Sequence, residues 1–170
     1  RILPQHGGEG HFIARFRRLG QAVDAYHTAT PAREDCYAKA AAELYAECFL
    51  GTPIGIFVTH KDQVRLIPTD LPDYRGLGVI SAGVAVATIC KNRLEPHHSV
   101  FLATEGTNCR RLINFAPSDP HLRAFLHGEE ISCDGKKGWT AVCVAGIPVG
   151  FGKASGGKLK NRYPKGLRLL

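Results

Sequence analysis

The sequence predicts an α+β fold: a small α/β module, followed by a mostly β barrel that carries short helices. Three observations predict it. From Tyr37 to Cys48, apolar residues recur at three- and four-residue steps, the period of one buried helical face. Short apolar runs bounded by turn formers, such as Ile54 to Pro68 and Trp139 to Val144, have the length and composition of strands. Of 170 residues, 44% are hydrophobic and 22% charged, which supports a core and excludes disorder of the whole chain.

The elements follow in order. Gly7-Gly8-Glu9-Gly10 reads as a turn, because a strand and not a phosphate-binding helix follows it. In that strand Phe12, Ala14 and Phe16 alternate with Ile13 and Arg15. Gly20 to Thr30 is a linker, and Thr30-Pro31 opens a helix, since Thr caps and Pro suits the first helical position. This helix buries Tyr37, Ala40, Ala41, Leu44, Tyr45 and Cys48 and stops near Leu50-Gly51, with Pro53 beyond. Ile54 to Pro68 is a hairpin turning at His60-Lys61-Asp62-Gln63. Asp70 to Gly76 is rich in turn formers, and the charge balance changes there, so a boundary is expected near Gly76. The expected units are therefore residues 1–20, 21–75 and 76–170. In the last of these, Ser99 to Ala103 makes a short helix or turn, and Arg110 to Phe115 a strand. Ser118-Asp119-Pro120 caps a helix with Leu122, Phe125 and Leu126 on one face and Gly128 at its end. Strand Trp139 to Val144, turn Ala145 to Pro148 and strand Val149 to Phe151 complete the domain.

Charge is unevenly placed. Residues 1–85 carry 9 basic and 9 acidic side chains, whereas residues 86–170 carry 13 basic and 6 acidic ones, so the whole net charge of +7 lies in the second half. From Lys136 onward there are 8 basic residues and no acid. A field of one sign attracts polyanions by Coulomb attraction and counterion release. No apolar run approaches the roughly 18 residues of a membrane span. The opening Arg1-Ile2-Leu3-Pro4 is not followed by an apolar core of signal length, so a cytoplasmic protein is expected. With no methionine anywhere, Arg1 is not expected to be a translation start, and the chain reads as a piece of a longer protein.

Several chemistries lack their residues. None of the six cysteines forms C-x-x-C, and their apolar surroundings point to reduced, buried thiols. His97-His98 is adjacent, so the pair suits a surface or capping role better than one metal, and no metal site is expected. Gly152 to Lys158 imitates a Walker A loop, but Leu159 stands where Ser or Thr must hold magnesium, and Asn161 to Gly166 cannot begin the required helix. No carboxylate pair and no G-x-S-x-G is present, so no catalytic residue is assigned.

Three stretches carry a resemblance. Arg1-Ile2-Leu3-Pro4-Gln5-His6-Gly7-Gly8-Glu9-Gly10-His11-Phe12-Ile13-Ala14 is similar to the end of the catalytic domain, its closing strand, in RsmF-type ribosomal RNA cytosine-5 methyltransferases, with Gln5 inserted before His6. Arg93-Leu94-Glu95-Pro96-His97-His98 resembles that family's R-F-E-P-S-H stretch. Gly138-Trp139-Thr140, Pro148 to Lys153 and Leu159 to Arg168 resemble its C-terminal block, which belongs to a PUA-like domain. The resemblance implies a remnant methyltransferase strand at 1–20, a middle module at 21–75 and a PUA-like, RNA-binding pseudo-barrel at 76–170. It also implies a parent enzyme that uses S-adenosylmethionine and a cysteine nucleophile. This chain has neither the family's cofactor segment nor its catalytic cysteine motifs, so no cofactor is expected on it.

The expected function is to position structured RNA, ribosomal in the family, for a catalytic domain outside this chain. The expected contacts are Lys91, Arg93, Lys153, Lys158, Lys160, Asn161, Arg162, Lys165 and Arg168, with glycines 152, 156, 157 and 166 admitting phosphates and Tyr163 able to stack on a base. The rival reading is a basic protein-interaction module with no RNA role, which needs an apolar patch near Trp139 or Phe151.

Overall fold

The computed structural model describes residues 20, 35–69, 71, 76, 78–91 and 93–169. The expected turn at Gly7 to Gly10, the strand from Phe12 to Phe16 and the helix start at Thr30-Pro31 lie outside them. Helix α1 spans Ala38–Cys48. Asp35 organises its entry: one carboxylate oxygen accepts the Tyr37 N–H at 2.9 Å and the Thr59 hydroxyl at 2.7 Å, and the other accepts the Thr59 N–H at 2.5 Å. Burial alone would raise the Asp35 pKa, but these hydrogen bonds prevail and hold it below the usual value. Ala41 and Cys48 are buried, Leu44 and Tyr45 half-buried, and Ala40 is exposed. At the other end, Arg110 donates to the Ala46 carbonyl at 2.5 Å and Arg111 to that of Glu47 at 2.9 Å. Cations at a helix C-terminus complement its dipole.

Strands β1 (Ile56–His60), β2 (Gln63–Ile67), β3 (Val84–Cys90) and β4 (Arg93–Pro96) form an antiparallel sheet in sequence order. The expected hairpin is β1–β2, with Lys61 in the left-handed region at its turn. The boundary expected near Gly76 falls inside this sheet: β2 pairs with β3 across it, from Gln63↔Thr88 to Leu66↔Val84. Turn formers and a change of charge are local features, and local composition carries no record of which strands pair.

Helix α2 (His98–Leu102) follows β4. His97 caps it, accepting the Ser99 N–H on Nδ1 at 3.1 Å. Strand β5 (Leu112–Phe115) precedes α3 (Pro120–His127), whose cap Asp119 accepts the His121 N–H at 2.8 Å and whose stop Gly128 sits at φ 95°. Strands β6 (Ile131–Ser132), β7 (Gly138–Val144), β8 (Ile147–Ser155) and β9 (Lys158–Asn161) complete a second sheet of order β5-β7-β8-β9-β6. Only Ala145-Gly146 forms the β7–β8 turn, and Pro148 already lies in β8 beside the bulge at Val142/Cys143. β5 and β6 are opposite edges of this sheet, yet Leu112 and Phe115 line one groove with Ser132 and Cys133. The sheet therefore curls into a half-closed barrel, and the fold is α+β, as expected.

The sheet has two dry faces. On one, Val142, Ala154 and Leu159 pack with Leu122 and Phe125 of α3. On the other, Trp139, Ala141 and Phe151 pack with Val100 and Phe101 of α2, Val86 of β3, and Cys48 and Phe49 at the end of α1. The Phe101 and Phe151 rings stack at 4.5 Å. This second core joins the two sheets without a break. Cys48, Cys109, Cys133 and Cys143 are buried, Cys90 half-buried and Cys36 exposed. Burial pushes the Cys48 thiol up to about 12 and Cys109 up to about 11. At neutral pH these are thiols and not nucleophilic thiolates.

Candidate nucleic-acid interface

The segment that imitates a phosphate loop is the β8–β9 hairpin. Gly156 and Gly157 make its turn at φ 58° and 77°, the conformation a two-residue hairpin requires. Successive strand residues point to opposite faces. Ala154 and Leu159 therefore turn inward to α3, while Lys153, Ser155, Lys158 and Lys160 stand exposed on the other face. Lys153 pairs directly with Lys160 across the strands. Like charges placed opposite each other destabilise a sheet, so the Lys153–Lys160 pairing works against folding.

Trp139 continues the row, opposite Lys153 on β7. The Lys153 ammonium lies 4.8 Å from the centre of its ring and the Arg162 guanidinium 5.9 Å. A cation held over an indole gains about 0.5–1 kcal/mol at an exposed site. Arg162 also approaches both oxygens of the Glu95 carboxylate at 3.3 Å, and Arg93 donates to one of them at 2.7 Å. Glu95 is the hinge of this cluster; its side chain is only 17% exposed, against 74% for Arg93. Arg93 and Glu95 stand two apart on β4, so they share a face. Arg93, Lys153, Lys160 and Arg162 thus come together around Trp139 and Glu95, with four cations against one carboxylate.

The other expected contacts lie apart from this cluster. Lys158 is on the same face, 3.2 Å from Glu130. Lys91 is exposed on the β3–β4 turn, and Lys165 on the 3-10 turn Lys165–Leu167. Arg168 lies over Gly128 at the end of α3, with its guanidinium 3.5 Å from the Tyr163 carbonyl. Asn161 points to the opposite face and serves the fold. Its amide donates to the carbonyls of Phe125 and Glu129 at 2.7 and 2.8 Å, and its oxygen accepts the Tyr163 N–H at 2.6 Å. Tyr163 is half-buried between His98 and Phe125 rather than presented as a platform. Gly152 is a packing residue: a Cβ there would stand 2.6 Å from Leu159 Cγ and 2.7 Å from the Lys160 carbonyl oxygen. Gly156 and Gly157 do face open space.

Two members of the cluster are not among the contacts expected from the sequence. The signal for Glu95 is its i, i+2 spacing from Arg93 on a strand. Trp139 reads in the sequence as a strand residue, as part of the family-like Gly138-Trp139-Thr140 and as part of an apolar patch, none of which marks it as a platform for cations. At 5% exposure for Trp139 and 3% for Phe151, that patch is buried, and the protein-partner reading loses the surface it needs.

The family model of the "RsmF rRNA methyltransferase first C-terminal domain" matches residues 43–103, and that of the "Methyltransferase RsmF PUA domain" matches residues 113–169. The two matched spans leave residues 104–112 between them. Among curated proteins, a ribosomal RNA small subunit methyltransferase F of Shewanella piezotolerans is 27% identical over 98% of this chain. A protein of the same name from Shewanella sp. strain MR-4 is 30% identical over 68% of it. The chain spans 37% and 26% of the length of these two relatives.

Proposed function

We propose, from the premise that this chain belongs to the RsmF family as its first C-terminal domain and PUA domain, that it holds structured ribosomal RNA by its phosphates. The observation that carries the reading is the row Trp139–Lys153–Lys160 with Arg162 and Arg93 alongside. Its opposed lysines repel each other across the sheet and gain when an anion lies between them. Phosphate contacts fix where the RNA lies and carry little sequence information. The chain would thus present a folded RNA, in the cytoplasm, to a methyltransferase domain elsewhere in the protein. Lys91, Lys158, Lys165 and Arg168 would act at the margins of this face, where longer RNA could reach them.

In the parent enzyme the family's methyl donor is S-adenosylmethionine, which supplies an electrophilic methyl group when bound. The described residues here do not fit it. The one glycine-rich segment with a nucleotide-loop spacing is a hairpin, and the Cys48 and Cys109 thiols are held protonated by burial. The part this chain plays is to bind and orient.

The test is Lys153→Glu with Lys160→Glu in the full chain, with folding checked by circular dichroism and affinity for a structured rRNA hairpin measured against salt. Affinity should fall, and the log–log salt slope should flatten by about 0.7–0.9 for each phosphate no longer neutralised by a lysine. A folded variant with unchanged affinity and slope would put the RNA elsewhere.

A further inference from the structure

We infer that Glu95 is a positioning residue of the RNA face: it holds the guanidinium groups of Arg93 and Arg162 in place for phosphates, an inference that rests on the RNA reading above. An acid on such a face needs a reason, because a carboxylate repels a phosphate. Its depth supplies one. The Glu95 side chain is 17% exposed, against 33% for Arg162 and 74% for Arg93. An approaching phosphate meets the guanidinium groups before it meets the carboxylate.

The link is built from both matched domains. Arg93 and Glu95 belong to the first, and Trp139, Lys153 and Arg162 to the second. Glu95 is fixed opposite Thr88 in the β3–β4 ladder, and the Arg162 N–H donates to the Phe151 carbonyl at 3.2 Å, so both backbones are anchored. The shared core holds the two sheets together. From these anchors each arginine turns one nitrogen, Nη2, to the carboxylate. The Arg162 guanidinium also lies over the Trp139 ring, so two groups hold it at once. A guanidinium carries five N–H donors. An arginine that gives one nitrogen to Glu95 therefore keeps others for a phosphate. A long side chain held in advance loses less freedom when it binds. Without Glu95 the two arginines keep their charge and lose their place. By charge alone, removing an acid from a basic face tightens RNA binding, whereas removing a positioning residue weakens it. The two effects differ in sign.

The experiment measures the affinity of the full chain for a structured rRNA hairpin at a single salt concentration, with folding checked by circular dichroism. Glu95→Gln keeps the shape of the side chain and removes its charge. It should weaken binding about 3–10-fold, the freedom of one or two long side chains. In a chain that carries Arg93→Ala and Arg162→Ala, the same change should no longer weaken it. The chain has a single tryptophan, so its fluorescence reports on Trp139 alone. Without RNA, Glu95→Gln should shift that emission as Arg162→Ala does. Equal or tighter binding by the folded Glu95→Gln chain overturns the inference and leaves the phosphate reading standing. So does an equal loss with and without the arginines, since Glu95 would then act through the fold. An emission that Arg162→Ala shifts and Glu95→Gln leaves in place overturns it too, and decides the matter even where the double-alanine chain does not fold. Failure of the unmodified chain to bind RNA sinks both the inference and the reading beneath it.

Discussion

The two faces of the five-stranded sheet are made by the same strands and do different work. Toward α3, the β8–β9 hairpin shows Gly152, Ala154, Leu159 and Asn161, residues suited to close packing and carbonyl capture. Toward α2 it shows Phe151, and then Lys153, Ser155, Lys158 and Lys160. One residue of displacement separates a core position from an exposed, mostly basic one. A register slip of one would exchange them all, and this explains why so much side-chain hydrogen bonding is spent on holding Asn161. Alternation lets a nine-residue strand pack a core on one face and, in the function proposed above, meet RNA on the other.

The sharpest challenge to this division is to remove the inner face's partners. A chain beginning at Gly76 lacks β1 and β2 beside β3, and lacks Cys48 and Phe49 from the shared core. It should show no cooperative thermal transition by circular dichroism; a cooperative melt would mean that the two sheets are separate bodies. Phe151→Ala, which empties the stack on Phe101, should cost about 3–5 kcal/mol in denaturant unfolding while leaving a single transition. Asn161→Ala strands the carbonyls of Phe125 and Glu129 and should cost about 1–3 kcal/mol. For the folded fraction, its salt slope of RNA binding should match that of the unmodified chain. A flattened slope would move Asn161 back to the binding face.

The gentlest probe is pH. Burial first, then the neighbouring positive charges, depress the folded pKa values of His97 and His98. A depressed folded pKa means that the unfolded chain takes protons first. The stability these rings contribute is therefore complete above about pH 6.5 and is lost as pH falls through their folded values. The urea midpoint should drop between pH 7.5 and 5.5, and His98→Phe should reduce that drop.

What can be read in the sequence follows the range of the forces involved. The caps of α3 are legible at both ends, because Asp119, Pro120 and Gly128 act within one turn of themselves. The β1–β2 hairpin is legible for the same reason. The pairing of β2 with β3 is not, since a ladder between residues 63 and 88 leaves no local mark. Among the site residues, the lysines of the hairpin are visible as an acid-free run. The roles of Asn161 and Glu95 are hidden, because their partners Phe125 and Arg162 lie 36 and 67 positions away.

The opposed pair Lys153 and Lys160 has a consequence for the protein's history under selection. Changing Lys160 alone to Glu would turn a repulsion into a cross-strand ion pair, a gain of about 0.2–1 kcal/mol. A laboratory lineage selected only for heat tolerance should find that change early and become sturdier as it loses its grip on RNA. Retention of both lysines through such a lineage would show that their repulsion is relieved in some way other than by a bound anion. Where a bound anion does relieve it, the ligand itself acts in a cell as the folding aid for this hairpin, and the melting temperature should climb as RNA is added.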